Sequence, residues 1–211
     1  MKWQSPIQGG LDDDTRARVL VDSIGMLAKG IDWRGSEAQM KGLPSNQLHD
    51  MMTAATTDAK RLWLWDGTGW IIMYEPVQQY TPVWTNLTLG TGATNSINYN
   101  RSGGYMDFVL VTLLGTGGAV SGSVSFTLPF NVRQVRRYQL DVTLLDGGVN
   151  NYRGVNESAD GVNTVSVYAT AGNAATGLEV AQVLAAATPF VWNAGDGIFV
   201  AGRVPLFNIY S

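Results

Sequence analysis

Acidic side chains are the first candidates for chemistry in this chain of 211 residues. Two carboxylates that flank a glycosidic bond can hydrolyse it, one as a general acid and the other as a base or nucleophile. The acidic residues of the region 77–211 are Asp107, Asp141, Asp146, Glu157, Asp160, Glu179 and Asp196. Most of them stand beside Gly or Asn in predicted turns, where acidic residues are simply common. We therefore expect no catalytic residues and no enzyme, with glycan hydrolysis as the least favoured alternative.

Metal sites and nucleophilic catalysis depend on residue types that this chain almost lacks. It has one histidine, His49, and no cysteine. A Ser–His–Asp triad would have to use His49, and a zinc site needs several His or Cys ligands. The three aspartates at 12–14 lack the glycine and distal glutamate of a calcium loop, and they favour a helix N-terminus instead. We expect neither a metal site nor a cofactor.

Aromatic rings near polar groups are the candidates for glycan binding, because sugar rings stack on aromatic faces. The candidate residues are Tyr152, Tyr99, Tyr105 and Asp146. Tyr152 is favoured among them, since the polar stretch DGGVNNYRGVN that contains it is predicted to be a loop. Trp192, by contrast, is predicted to face the core.

The aromatic cluster in KRLWLWDGTGWIIMYEP, residues 60–76, is predicted to lie on a β-hairpin. Asp-Gly between two apolar runs is a strong hairpin signal. Alternate side chains of a strand face opposite ways, so the leucines of RLWLW lie on one face and its tryptophans on the other. Both faces are apolar, and a lone hairpin is marginal in water. Either the rest of the chain or further copies of the hairpin must therefore cover it.

The segment before the hairpin is predicted to contain one short helix and a connector. Ala17, Leu20, Ile24 and Leu27 recur at helical spacing and form one apolar stripe, which Ile31 extends. Lys29 and Gly30 are predicted to be the last turn and the C-cap of this helix. The stripe could pack on its own chain or on a symmetry mate, because short isolated helices are marginal. Residues 32–58 contain several breakers and are predicted to be a connector.

Residues 77–211 are predicted to be all β. Three runs place apolar residues on one face by alternation: Met106, Phe108, Leu110 and Leu114; Val124, Phe126 and Leu128; Leu140, Val142 and Leu144. Gly- and Asn-rich turns separate the runs, which is typical of a sandwich or jelly roll. The expected fold class is mainly β, with a short N-terminal helix and β-hairpin module followed by a jelly-roll-like β-sandwich.

Charge excludes some partners and marks a boundary. A formal net charge of -3 gives no electrostatic case for nucleic acid, and no apolar run approaches the ~20 residues of a membrane span.

Residues 1–76 carry 18 of the 31 charged side chains. The composition therefore changes near Pro76. The cluster Arg133, Arg136 and Arg137 could contact phosphates or an anionic cell-wall polymer, although a solvated sheet edge is favoured.

Three motifs of the β region occur in an order that resembles a known family. They are YTPVWTNLTLGTG at 80–92, VSGSVSFTLPF at 120–130 and TPFVWNAGDGIFVAGRV at 188–204. Together they resemble the C-terminal domain of minor tail proteins, or tail fibres, of phages that infect actinobacteria. The matching positions are Tyr80, Thr81, Pro82, Trp84, Ser125, Phe126, Leu128, Pro129, Phe190, Trp192, Gly195 and Asp196. A short hairpin often precedes that domain, and its matching positions here are Leu62, Asp66, Gly67, Thr68 and Trp70.

The resemblance implies a virion structural protein that forms a homotrimer and attaches the phage to its host. Residues 1–58 would form an anchoring arm, helix and connector, with residues 1–35 binding other virion proteins. Residues 59–76 would be the trimerisation hairpin, and residues 77–211 the receptor-binding-like β-sandwich. The expected trimer contacts are Leu20, Ile24, Leu27, Leu62, Trp63, Leu64, Trp65 and Trp70.

The resemblance also implies a location and a host partner. The chain would be synthesised in the host cytoplasm and would reside on the phage tail or capsid surface. Its host partner would be a cell-surface glycan or cell-wall polymer, with no nucleic acid and no membrane insertion. The alternative is a capsid-decorating or head-fibre protein that binds no receptor.

Overall fold

The computed structural model describes residues 31–135, 139–147, 149–172 and 179–210. Within these residues the chain forms a four-stranded sheet and a larger ten-stranded sheet. The predicted helix that carries Leu20, Ile24 and Leu27 lies outside the described residues. The predicted fold class, mainly β with a small N-terminal module and a β-sandwich, is confirmed.

The four-stranded sheet belongs to residues 31–76, which we call the N-terminal module. Its strands are β1 (Trp33–Gly35), β2 (Thr53–Thr56), β3 (Arg61–Trp65) and β4 (Trp70–Tyr74), in that order across the sheet. β1 and β2 are parallel, and the other neighbours are antiparallel. β3 and β4 form the predicted hairpin, and its turn contains Gly67 at a φ of 90°, a conformation that suits glycine.

A short helix connects the first two strands of the module. Helix α1 (Glu37–Lys41) begins at a capping box, in which Ser36 and Gln39 satisfy each other's backbone N–H groups. A 3-10 turn, Ser45–Gln47, follows it. The helix buries Met40 completely. It therefore contributes to the core of the module although it is too short to be stable alone.

The module itself covers the tryptophan face of the hairpin. Its buried apolar residues are Met40, Met52, Ala54, Trp63, Trp70 and Ile72. Trp63 is 0% exposed, and its indole Nε1 donates a hydrogen bond to Thr56 Oγ1 at 3.4 Å. The prediction that residues 32–58 are a connector is therefore wrong, because β1, α1 and β2 supply this cover.

The second sheet contains the remaining strands. They are β5 (Gln78–Tyr80), β6 (Trp84–Thr88), β7 (Thr94–Ser102), β8 (Tyr105–Leu113), β9 (Ala119–Val132), β10 (Asp141–Asp146), β11 (Asn150–Glu157), β12 (Val162–Gly172), β13 (Glu179–Val183) and β14 (Gly197–Pro205). Their order is β5-β7-β8-β14-β10-β11-β12-β9-β6, with β13 also pairing with β12. All of these pairings are antiparallel.

The large sheet curls until its two ends meet. Tyr80 of β5 and Thr127 of β9 share a hydrogen bond of 2.8 Å between their hydroxyl groups. Across the interior, the rings of Phe108 and Phe126 lie 6.4 Å apart between centroids. The three predicted alternating runs all point into this interior, and each of their apolar residues is 4% exposed or less. The alternation therefore predicted the inner face correctly.

The module contacts the sandwich along the edge of β4. The turn between β7 and β8 reaches this edge, where the Gly103 N–H donates to the Ile72 carbonyl at 2.9 Å. Tyr210 forms a β-bridge with Ile71, and its hydroxyl donates to Asp66 Oδ2 at 3.0 Å. The C-terminal segment thus ties the hairpin to the sandwich.

A buried carboxylate lies at the same joint. Glu75 is 1% exposed and accepts hydrogen bonds from Arg61 Nε at 3.1 Å and from Arg101 Nε at 2.9 Å. Arg61 belongs to β3 and Arg101 to β7, so the carboxylate links the module to the sandwich. Arg61 also donates to Glu37 of α1 at 2.7 Å, and the Arg101 guanidinium lies 4.4 Å from the ring centroid of Phe130.

Candidate functional site

The outer face of β7, β8 and β14 presents polar and aromatic side chains in three rows. The rows are Asn98, Val109 and Ala201; Asn100, Asp107 and Arg203; and Ser102, Tyr105 and Pro205. Alternation produces this pattern, because the intervening residues of β8, such as Met106 and Phe108, are buried in the core. The three strands therefore bring residues far apart in the chain onto one surface.

This surface contains an open groove of about 480 Å³, which we call the outer groove. Its lining includes Val77, Asn98, Asn100, Asp107 and Arg203. Val109 also lines it and is 49% exposed. The groove therefore offers exposed apolar and amide groups side by side.

Asp107 and Arg203 form a two-pronged ion pair beside the groove. Arg203 Nε donates to Asp107 Oδ1 and Arg203 Nη2 donates to Asp107 Oδ2, both at 2.8 Å. These hydrogen bonds raise the pKa of Arg203. Both side chains are partly exposed, so their contribution to stability is small. The fork holds a carboxylate and a guanidinium in fixed positions where a ligand can reach them.

Tyr105 is the predicted glycan residue that lies on this outer face. Its ring is 45% exposed, and the Arg203 guanidinium lies 5.6 Å from the ring centroid. Tyr99 also borders the outer groove, but its ring packs on Phe130 with centroids 5.7 Å apart. Burial, followed by the nearby charge of Glu75, raises the pKa of Tyr99. Tyr99 is therefore mainly a packing residue.

The other two glycan candidates lie elsewhere in the sheet. Tyr152 belongs to β11, where it pairs with Leu144, and its ring lies 5.2 Å from that of Phe190. The prediction that Tyr152 stands in a loop is wrong, because its stretch forms the β10–β11 hairpin. Asp146 ends β10 opposite Asn150. Tyr99 and Tyr105 lie on β7 and β8, whereas Asp146 and Tyr152 lie on β10 and β11. Strand β14 separates the two pairs, so the four candidates do not form one site.

Sequence reasoning missed Arg203 and the two asparagines of the groove. The asparagines alternate with Ile97 and Tyr99 in INYN, which is a signal for an outer strand face. No local sequence pattern indicated a role for Arg203, because its partner Asp107 is 96 residues away along the chain.

Two further acidic candidates, Asp196 and Asp160, have structural contacts. Asp196 is 2% exposed and accepts hydrogen bonds from the backbone N–H groups of Gly147, at 2.7 Å, and Asn193. Asp160 accepts from the Gln134 N–H at 3.2 Å and lies 3.9 Å from Arg133. Two of the predicted basic residues, at 136 and 137, lie outside the described residues.

The described ranges contain neither a grouped metal site nor a membrane-spanning helix. There, no three His, Cys, Asp or Glu side chains are grouped so that they could hold a metal ion. Each helix in this part of the chain is too short and too polar to cross a bilayer.

The predicted trimer residues of the hairpin divide between two environments. Trp63 and Trp70 are 0% and 6% exposed in the single chain, so they are core residues of the module and offer almost no surface to another copy. The expectation that they contact other copies is corrected accordingly. Leu62 and Leu64 lie on the opposite face and are partly exposed, while Trp65 is partly exposed beside Trp70.

Two of the motifs that carry the resemblance, at 80–92 and 120–130, meet where the sheet closes on itself. The third, at 188–204, leads into β14, which lies between β8 and β10. Trp84 pairs with Phe126, with ring centroids 5.3 Å apart, and the Val83 N–H donates to Thr127 Oγ1 at 2.9 Å. Phe190 and Trp192 pack with centroids 4.5 Å apart. These residues therefore hold the sandwich together. Comparisons with protein-family models, curated proteins and solved structures give no match to this chain.

Proposed function

We propose that this chain is a virion structural protein of a phage: a tail fibre, spike or minor tail protein. It attaches to the particle by its N-terminal segment and presents the β-sandwich to the host surface. The observation that carries the proposal is the ordered set of three motifs. Two of them, at 80–92 and 120–130, contribute neighbouring strands at the closure of the sheet, where Trp84 packs on Phe126.

Host attachment is supported by the exposed outer groove. An attachment protein needs a rigid surface whose ligand-binding groups are open to solvent. The groove lies on three adjacent strands rather than on a loop. Its backbone is therefore held by the sheet, and its side chains are already in place for a partner.

The anchoring role predicts that a short N-terminal deletion prevents incorporation into particles. Residues 1–30 precede the described module, whereas a deletion of 1–35 would also remove β1 and part of the cover of Trp63. We expect a deletion of 1–30 to leave a folded chain that is absent from purified phage particles, as measured by mass spectrometry of virions.

The full-length chain is the control for this experiment. It should be present in the same particles, and circular dichroism should show similar β content in both proteins. Absence of the full-length chain from virions would contradict the proposed function, and incorporation of the shortened chain would contradict the anchoring role.

The proposed homotrimer would use the second face of the module. Leu62, Leu64 and Ile71 are only partly buried on that face, and Met73 beside them is 39% exposed. Apolar surface of this kind is favourable to bury between copies. This face replaces the tryptophan face as the proposed interface.

A charge on this face is expected to dissociate the trimer. Wild-type protein should have three times the 22.7 kDa mass of one chain, and Leu64→Glu should shift it towards one chain, because burial of an unpaired carboxylate is strongly unfavourable. Light scattering after size exclusion measures both masses. Val180→Glu on β13, 46% exposed, is the matched control and should remain trimeric. A wild-type monomer at micromolar concentration would contradict the trimer.

A further inference from the structure

We propose that a neutral oligosaccharide binds along the outer face of β7, β8 and β14, from the outer groove to Tyr105 in the adjacent row, with Tyr105 as the stacking ring and the Asp107–Arg203 fork as the group that recognises a sugar hydroxyl. This inference rests on the proposed role in host attachment. It adds the site, the residues and the chemical class of the ligand.

The dimensions of the outer face suit a short sugar chain. Residues two apart on a strand are separated by about 6.7 Å, so the three rows from Asn98 to Ser102 span about 13 Å along the strands. Ala201 is small, and its row continues to Asp141 on the neighbouring strand β10. The surface is thus long and shallow. Such a shape accommodates several sugar units lying flat and offers no enclosed pocket for a small metabolite.

The hydrogen-bonding groups are complementary to sugar hydroxyls. A carboxylate only accepts hydrogen bonds and a guanidinium only donates them, whereas a hydroxyl does both. A hydroxyl between Asp107 and Arg203 can donate to the first and accept from the second. The fork uses two of the five N–H groups of Arg203, so donors remain for a ligand. Asn98 and Asn100 add amide groups that donate and accept.

The fork also reduces the entropic cost of binding. Free Arg and Asp side chains lose rotamer freedom when a ligand orders them. Here the two hydrogen bonds of 2.8 Å already restrict both side chains. A ligand therefore meets a preorganised donor and acceptor at the protein surface.

Tyr105 and Val109 supply the apolar contacts that a sugar ring requires. One face of a pyranose carries mainly C–H groups, which pack on the electron-rich face of an aromatic ring. The side chains of both residues point outward from β8 and are 45% and 49% exposed. Apolar and polar groups therefore alternate along the strand, as they do on the surface of a sugar chain.

The local charge favours a neutral glycan over an acidic one. The carboxylate of Asp107 is paired with Arg203, and the outer face continues through Asp141 and Thr143 of β10 to the exposed Arg153 of β11. These residues supply two carboxylates and two guanidinium groups, so they offer no excess of positive charge that would attract a uronic acid or phosphate group.

The test is binding of the full-length chain to immobilised oligosaccharides. The probes are neutral galactans, mannans and arabinans, together with acidic oligosaccharides that carry uronic acids or phosphate. Wild-type protein should bind at least one neutral probe. Tyr105→Ala and Asp107→Asn should each weaken that binding by about tenfold or more, while Tyr105→Phe, which keeps the ring, should bind nearly as wild type does.

Two substitutions away from the groove are the matched controls. Phe207→Ala truncates another exposed ring, and Asp160→Asn neutralises another exposed partner of an arginine. Both should bind as wild type does, and all variants should share the wild-type melting temperature within a few degrees.

The possible outcomes separate this site from the proposed function. Binding that survives Tyr105→Ala and Asp107→Asn would overturn the groove and leave attachment standing. Binding to acidic probes alone would overturn the ligand class, and no binding to any probe would overturn the site. Failure of the proposed function itself would appear separately, as absence of the full-length chain from virions.

Discussion

Trp63→Ala is expected to reduce the free energy of unfolding of the N-terminal module by about 3–5 kcal/mol, the range measured for large aromatic residues in cores. Trp63 is fully buried between strands and helix, and the six-residue core of the module offers few neighbours that could collapse into the cavity. Its hydrogen bond to Thr56 would also be lost. Urea unfolding followed by circular dichroism, with hydrogen exchange of the amides in residues 53–74, measures the effect.

Leu64→Ala is the matched control for this prediction. Leu64 is on the same strand one residue away, but it faces the other side and is only partly buried. Within one chain its truncation should cost less than half as much, since little cavity forms at a partly exposed site. Any further loss at the proposed trimer interface would depend on protein concentration, whereas the loss in Trp63→Ala would not. Equal losses that do not change with protein concentration would show that the module does not cover the tryptophan face.

Trp63→Ala and Leu64→Glu would reduce the measured mass of the trimer for different reasons. A loss of trimer in Trp63→Ala would follow from unfolding of the module, because the residue offers no surface to another copy. A loss of trimer in Leu64→Glu with an intact module would instead reflect the interface. Only the second result bears on the proposed assembly.

Arg101→Met is the second change with a large expected effect, a loss of up to about 3–5 kcal/mol on breaking a buried ion pair. The Glu75 side chain is 0% exposed, and removal of Arg101 with its two hydrogen bonds would leave it only the single hydrogen bond from Arg61. Methionine keeps apolar volume against Phe130, so the loss is mainly electrostatic. Urea unfolding measures it, with hydrogen exchange at the β4 edge showing whether the joint opens first.

A second substitution is expected to rescue this variant. Arg101→Met combined with Glu75→Met removes the stranded carboxylate, and apolar replacement of both partners of a buried pair is often close to neutral. Arg61 would still have Glu37 as a partner. The double variant should therefore be more stable than Arg101→Met alone. A double variant that is less stable would contradict the explanation.

Arg203→Met is the control for the effect of burial on an ion pair. Arg203 makes a similar fork to a carboxylate, but its side chain is 58% exposed and that of Asp107 is 37% exposed. Water compensates both charges when this pair is broken, so the change in stability should be small. Similar losses at Arg101 and Arg203 would mean that burial does not explain the role of Glu75.

Local patterns of the sequence predicted the strands and most of the core. Met106, Phe108 and Leu110 alternate with polar or exposed residues, and they are buried as expected. The Asp-Gly turn predicted the hairpin correctly. These successes have one cause, because turn geometry and side-chain alternation depend on neighbouring residues only.

The errors arise where local patterns are weak or ambiguous. Residues 32–58 contain two strands of three and four residues and a helix of five, all too short to show a clear period. Tyr152 stands in a stretch rich in Gly and Asn, which resembles a loop but forms a strand. Tertiary pairing overrode the local propensity in both places.

The sequence by itself thus determined the fold class, the hairpin and the inward face of the main strands, because each depends on the alternation of side chains along a short segment. Only the tertiary structure decided what covers the tryptophans, which arginines enclose Glu75 and which side chains form the outer groove. Those contacts depend on strand order. β14 pairs with β8 and so places Arg203 beside Asp107, although 96 residues separate them along the chain.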